Sequence, residues 1–127
     1  MRELAAANPE ALPDTGNSRK AGVLRIIAEP RAVVFETWLG VEQELRLLGK
    51  SAGVADAEHL PSGTLVRQLE SMQKLSLMAS ALFREMQHLR NQAAHVPEFQ
   101  PEPEAVEIYV SMARKLKTLI RTGPSAA

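Results

Sequence analysis

A chain of 127 residues and 13.9 kDa is sized for one compact domain, and its 45% of apolar residues can bury a real core, which excludes a disordered chain. Fifteen Lys and Arg balance fifteen Asp and Glu, which argues against a wide basic face for duplex nucleic acid or anionic membrane but not against a small local phosphate site. The absence of cysteine excludes disulfides, thiol catalysis and Cys-ligated metal centres.

No run of about 18 apolar residues is present to span a bilayer. The opening Met1-Arg2-Glu3-Leu4 holds too little apolar length for a signal peptide. The expectation is a cytoplasmic domain with no membrane segment. Residues 1–21 read as a flexible lead-in, with prolines and a glycine over 8–20 (NPEALPDTGNSRK). Residues 22–28 (GVLRIIA) predict one or two helical turns.

A first long helix is expected from Pro30, which suits a first turn because it has no N–H to leave unpaired. Val34, Trp38, Val41, Leu45 and Leu48 recur at spacings of four and three, a stripe about 80° wide. Trp38 on that stripe is a core residue. Gly49 is expected to end the helix as a left-handed cap. Gly40 inside it costs about 1 kcal/mol against alanine, which predicts close approach by a neighbouring helix.

Residues 49–63 read as a loop, followed by a short helix through Leu65, Val66 and Leu69 with Ser62 or Gly63 as its cap. The longest helix is expected from Leu75 to Ala94, with Leu75, Met78, Ala79, Leu82, Met86, Leu89 and Ala93 on its apolar face. Pro97 restrains Val96 and stops it. After the proline- and acid-rich PEFQPEPE loop, the last helix runs from Pro103 to Arg121. Its early acids (Glu104, Glu107) and late bases (Arg114, Lys115, Lys117, Arg121) suit the helix dipole. Val106, Tyr109, Val110, Ala113, Leu116 and Ile120 form its core face. Ile108, Met112 and Leu119 widen the apolar arc to about 200°, more than one bundle readily buries. A second subunit could cover the excess. The fold class is all-α: an antiparallel helical bundle of about three long and two short helices, over residues 22–122, with a disordered tail from 123 to 127.

The end of the third long segment reads Phe83-Arg84-Glu85-Met86-Gln87-His88-Leu89-Arg90-Asn91-Gln92-Ala93-Ala94-His95. Its Arg90 and His95 resemble the Arg-x4–6-His motif of the HEPN superfamily. Leu89 to His95 resembles the LRN-x-AAH form of small bacterial HEPN-like domains. The likeness extends more weakly to Pro30-Arg31-Ala32-Val33-Val34-Phe35-Glu36-Thr37-Trp38, the acidic loop and the final helix, about residues 22–122.

The resemblance implies an all-helical homodimer in which the two motifs face each other, and in active members a metal-independent endoribonuclease of toxin, defence or stress systems. His95 would act as base on the ribose 2′-hydroxyl or as acid on the leaving 5′-oxygen. Imidazole, which titrates near neutral pH, suits both tasks. Arg90 would hold the scissile phosphate and Asn91 would orient His95 or the phosphate. Arg84 and His88 are candidates to extend the phosphate or RNA contact. Members regulated by a nucleotidyltransferase antitoxin carry an acceptor tyrosine two residues after the histidine; this chain has Pro97 there. Expected partners are a second copy, RNA and a protein partner or antitoxin. No cofactor is expected.

On an ideal helix Arg90 and His95 stand about 140° apart, whereas Asn91 and His95 share a face. The helix could unwind near Ala94, the Arg side chain could bend round, or two chains could assemble the site. Structural readings compete: Arg90 as a half-buried arginine paired with Glu36 or Glu102, and His95 as a C-terminal cap. Glu85-x-x-His88 has di-iron spacing, but the chain lacks the second copy that this chemistry needs, so no metal is expected. The alternative function is a HEPN-like dimerisation, regulatory or nucleotide-sensing module without turnover, such as the soluble part of a larger protein.

Overall fold

The computed structural model describes residues 15–95 and 100–124, with side chains from residue 20 onward. The expected lead-in up to residue 14, Pro97 and the tail from residue 125 lie outside the described residues. Five α-helices follow in order: α1 (Thr15–Ala28), α2 (Pro30–Ser51), α3 (Ser62–Ser71), α4 (Leu77–His95) and α5 (Pro103–Thr122). No strand occurs among the described residues. The chain is an all-α bundle.

The apolar turn expected over 22–28 is longer on its N-terminal side, because α1 begins at Thr15. Residues 15–21 are therefore helical; they contain no proline, and the apolar residues after them anchor the helix. Ile26 is buried, while Leu24 and Ile27 are exposed. The corner into α2 falls at Glu29 (φ −137°, ψ 60°), where the ring of Pro30 disfavours helical geometry in the residue before it. Arg25 spans that corner, donating to Glu29 at 3.1 Å and to both Glu36 oxygens at 2.6 and 2.5 Å. Hydrogen bonding from Arg25 holds the Glu36 carboxyl below its ordinary range. Both partners are exposed, so this network fixes an angle more than it stabilises the fold.

Helix α2 buries Val34, Trp38, Val41 and Leu45, the expected stripe, with Leu48 half-buried. It does not end at Gly49. The helix continues to Ser51, and the left-handed residue is Gly53 (φ 82°). Gly49 serves packing: a Cβ there would lie 2.9 Å from Leu65 Cδ1 and 3.1 Å from Ala57 Cβ. Arg46 fastens the following loop by donating to the carbonyls of Ala57 (3.0 Å) and Leu60 (2.9 Å). In α3 the buried residues are Leu65, Val66 and Leu69, as expected. The helix is preceded by Pro61, and Ser62 donates its hydroxyl to the Glu42 carboxylate of α2 instead of capping.

Helix α4 starts at Leu77, two residues later than expected, because the Ser76 hydroxyl accepts the Ala79 N–H at 3.1 Å and so caps it. Leu75 is still buried, from the turn. With 19 residues α4 is shorter than α2, which has 22 and is the longest helix described. Its core residues are Ala79, Ser80, Phe83, Met86 and Ala93, with Leu82 and Leu89 half-buried. Met78, expected inside, is 54% exposed. The core face is rotated towards Phe83, whose ring lies 5.1 Å from Trp38 at an interplanar angle of 37°.

Helix α5 buries Val106, Tyr109, Ala113, Leu116 and Ile120, as the periodicity requires, and leaves Val110 half-buried. The long helices alternate in direction. The start of α4 lies with the end of α5 around Leu75, Leu77 and Ile120. Its far end meets the start of α2 through Arg31 and Ala93. Helices α2 and α5 run side by side in the same sense: Gly40 faces Lys117, and Glu44 accepts from Arg121 at 2.7 Å. Gly40 thus admits the neighbouring helix that its position predicts. Hydrogen bonding from Arg121 keeps the Glu44 carboxyl below its ordinary range.

Candidate functional site

Helix α4 carries every candidate site residue, from Arg84 near its middle to His95 at its end. Arg84, His88, Asn91 and His95 recur at spacings of four, three and four, and all are exposed. Ideal helix geometry gathers them within an arc of about 60°. They form one polar ridge facing away from the core. Arg90 lies about 100° from Asn91 around the helix, on the side towards Phe83, and is half-buried.

Helix α4 remains α-helical through His95, so unwinding does not bring Arg90 and His95 together. The arginine side chain bends instead: its Nη1 donates to Asn91 Oδ1 at 3.2 Å. Arg90 pairs with neither Glu36 nor Glu102; Glu36 is engaged by Arg25. The Arg90 Nε is buried and donates to no acceptor among the described residues. His95 is the exposed last residue of α4, and neither it nor His88 makes a hydrogen bond among the described residues.

The last turn of α4 is held by Arg31, whose Nη2 donates to the Ala93 carbonyl at 2.5 Å. The cap expected of His95 is thus supplied by the first turn of α2. No sequence pattern signals this contact, because Arg31 and Ala93 lie 62 residues apart. Arg84 is committed elsewhere, donating to Glu70 of α3 at 3.0 Å. The Glu70 carboxyl is held below its ordinary range first by the buried Ser80 hydroxyl directed at it, outside strict hydrogen-bond geometry, and then by Arg84. Arg84 therefore ties α4 to α3.

Tyr109 lies in the core of the bundle, 1% exposed, and its hydroxyl finds no partner among the described residues. Burial raises the phenol above its ordinary range; the positive charge of Arg90 opposes that shift and Glu42 adds to it. A phenol raised on folding contributes stability that is complete below the unfolded value, about 10, and is lost as pH rises beyond it. Tyr109→Phe is expected to match or exceed the wild type in stability at pH 7, by up to about 1 kcal/mol, because an unpartnered buried hydroxyl carries its desolvation cost. The variant should also lose the extra destabilisation above about pH 10. Urea unfolding at pH 7 and pH 10.5 checks both; a neutral-pH loss above about 1.5 kcal/mol would show that the hydroxyl is satisfied.

Among the described residues no three His, Asp or Glu side chains are grouped to hold a metal ion, so Glu85 and His88 stand without further ligands. Among the described residues no helix is long and apolar enough to cross a membrane. A groove between α4 and α5 and another among α1, α2 and α5 mark the surface, and neither includes Arg90, Asn91 or His95. What α4 presents is a guanidinium drawn sideways to an amide, one helical turn before an exposed imidazole. Such a set can bind a phosphate and move a proton beside it. Comparison of the chain with family models, with curated proteins and with solved structures finds no match.

Proposed function

We propose that this chain is a HEPN-like, metal-independent endoribonuclease working at the end of α4. In this reading Arg90 holds the scissile phosphate through its Nη groups. Asn91, whose Oδ1 accepts from Arg90, keeps an amide N–H for the phosphate or for His95. His95 takes the proton from the ribose 2′-hydroxyl; the 2′-oxygen attacks phosphorus, the bond to the 5′-oxygen breaks, and that oxygen is protonated. The products are a 2′,3′-cyclic phosphate and a free 5′-hydroxyl. The observation that carries the reading is the Arg90–Asn91 hydrogen bond, which draws the guanidinium towards the face that Asn91 shares with His95. Homodimerisation and RNA as the substrate belong to the same proposal.

A second reading, an interaction module without turnover, is favoured by the apolar groove between α4 and α5, where Ile108 is 61% exposed. One experiment separates the two. Wild type and His95→Ala are incubated with a mixed single-stranded RNA pool in EDTA, with circular dichroism as the fold control. The nuclease reading expects wild-type cleavage leaving 2′,3′-cyclic ends, and a loss of about 10²–10⁴-fold in His95→Ala, the usual scale of general acid–base catalysis. Equal cleavage by both proteins removes His95 from the chemistry and overturns the nuclease reading as stated; none by the wild type assigns the chain to the interaction module.

A further inference from the structure

The last turn of α4 has one carbonyl that its own helix cannot satisfy. In an α-helix each carbonyl accepts the N–H four residues on, and for Ala93 that residue is Pro97, which has none. The proline ring also disfavours helical geometry in the residue before it, and α4 ends at His95. A helix end without partners for its carbonyls frays at small cost. Asn91 and His95 are neighbours only while that turn stays wound, because one helical turn is what brings residues four apart together.

Arg31 supplies the donor that the chain itself withholds. From the first turn of α2 its Nη2 donates to the Ala93 carbonyl at 2.5 Å. A guanidinium makes a stronger hydrogen bond than a neutral donor, and its charge complements the negative end of the helix dipole. Ala93 is fully buried, and the ridge of Asn91 and His95 lies about 160° around α4 from it. Arg31 therefore grips the backbone of the turn and acts on His95 through it, not through whatever the ridge binds.

We propose that Arg31 is a positioning residue of the candidate site: standing in for the N–H that Pro97 lacks, it keeps the last turn of α4 wound and holds His95 beside Asn91. The effect on cleavage rests on the nuclease reading; the hold on the turn does not. Catalysis is sensitive to such a hold, because a displacement of about 1 Å can cost about a hundredfold in rate.

Two measurements on wild type, Arg31→Ala and Arg31→Lys test the proposal, with circular dichroism to confirm that each variant is folded. Amide hydrogen exchange read by NMR should be at least about tenfold faster at Ala94 and His95 in Arg31→Ala, and unchanged at Phe83 and Met86. A residue that only stabilised the fold would speed all four together. On a single-stranded RNA in EDTA, Arg31→Ala should lower kcat about 10–100-fold and change KM by less than about threefold, because Arg90 keeps its hold on the phosphate. Arg31→Lys retains a cationic donor and should recover most of both losses. Equal exchange at His95 in wild type and Arg31→Ala, full kcat in Arg31→Ala, or a lysine variant no better than the alanine one overturns the proposal. Absence of cleavage by the wild type overturns the nuclease reading alone, and exchange at His95 still decides whether Arg31 holds the turn.

Discussion

Phe83→Ala is expected to lower the unfolding free energy by about 3–5 kcal/mol, the range measured when a large buried aromatic is truncated to alanine. Phe83 is 1% exposed and belongs to the core shared with Trp38, Val34 and Leu45. Its ring lies 5.1 Å from Trp38 in a tilted arrangement, so truncation removes transfer energy, leaves a cavity and breaks an aromatic pair worth about 0.5–1.5 kcal/mol beyond its area. Residues on α2 and α4 meet at this point, so the loss should appear in the cooperative transition and not as local fraying. A domain of this size holds about 5–15 kcal/mol in total. The variant should therefore unfold at distinctly lower urea, with an unchanged slope. A loss below about 1.5 kcal/mol would show that the aromatic pair is peripheral to the core.

The two glycines of α2 should respond to alanine in opposite directions. At Gly49 the new methyl would sit 2.9 Å from Leu65 Cδ1 and 3.1 Å from Ala57 Cβ, and both neighbours are buried. Overpacking of this kind costs about 1–3 kcal/mol, less the gain of nearly 1 kcal/mol that alanine brings to a helix. A net destabilisation of about 1–2 kcal/mol is expected. At Gly40 the nearest atom, 2.9 Å away, is Lys117 Nζ, the free end of a long side chain that can swing aside. Gly40→Ala should be neutral or stabilising by up to about 1 kcal/mol. Thermal unfolding of the two variants side by side decides the matter. If both lose stability, the α2–α5 contact at Gly40 is as rigid as the core.

Much of this fold was legible because burial repeats with the helical period. The stripe Val34, Trp38, Val41 and Leu45 and the stripe Val106, Tyr109, Ala113, Leu116 and Ile120 are the buried faces of α2 and α5. Errors gathered where one residue type serves two physical ends. Gly49 and Gly53 both suit a left-handed cap, and only the nearness of Leu65 and Ala57 assigns the first to packing and the second to the turn. Leu75 is as apolar as a helix residue, but the Ser76 hydroxyl starts α4 after it. Met78 and Phe83 both lie near the apolar arc of α4, and packing against Trp38 selects Phe83.

The candidate site divides in the same way. That Asn91 and His95 share a face, and that Arg90 does not, follows from helical spacing alone. Three contacts join residues distant in the chain or depend on a side-chain rotamer, and spacing carries no information about them: the Arg90–Asn91 bond, the hold of Arg31 on the Ala93 carbonyl and the engagement of Arg84 by Glu70. By itself the sequence determined an all-α bundle and the buried faces of α2, α3 and α5, because these depend on periodicity along one chain segment. Only the tertiary structure decided that Gly49 serves packing, which cation is already paired and which apolar side chains stay exposed, because each depends on atoms that folding brings together.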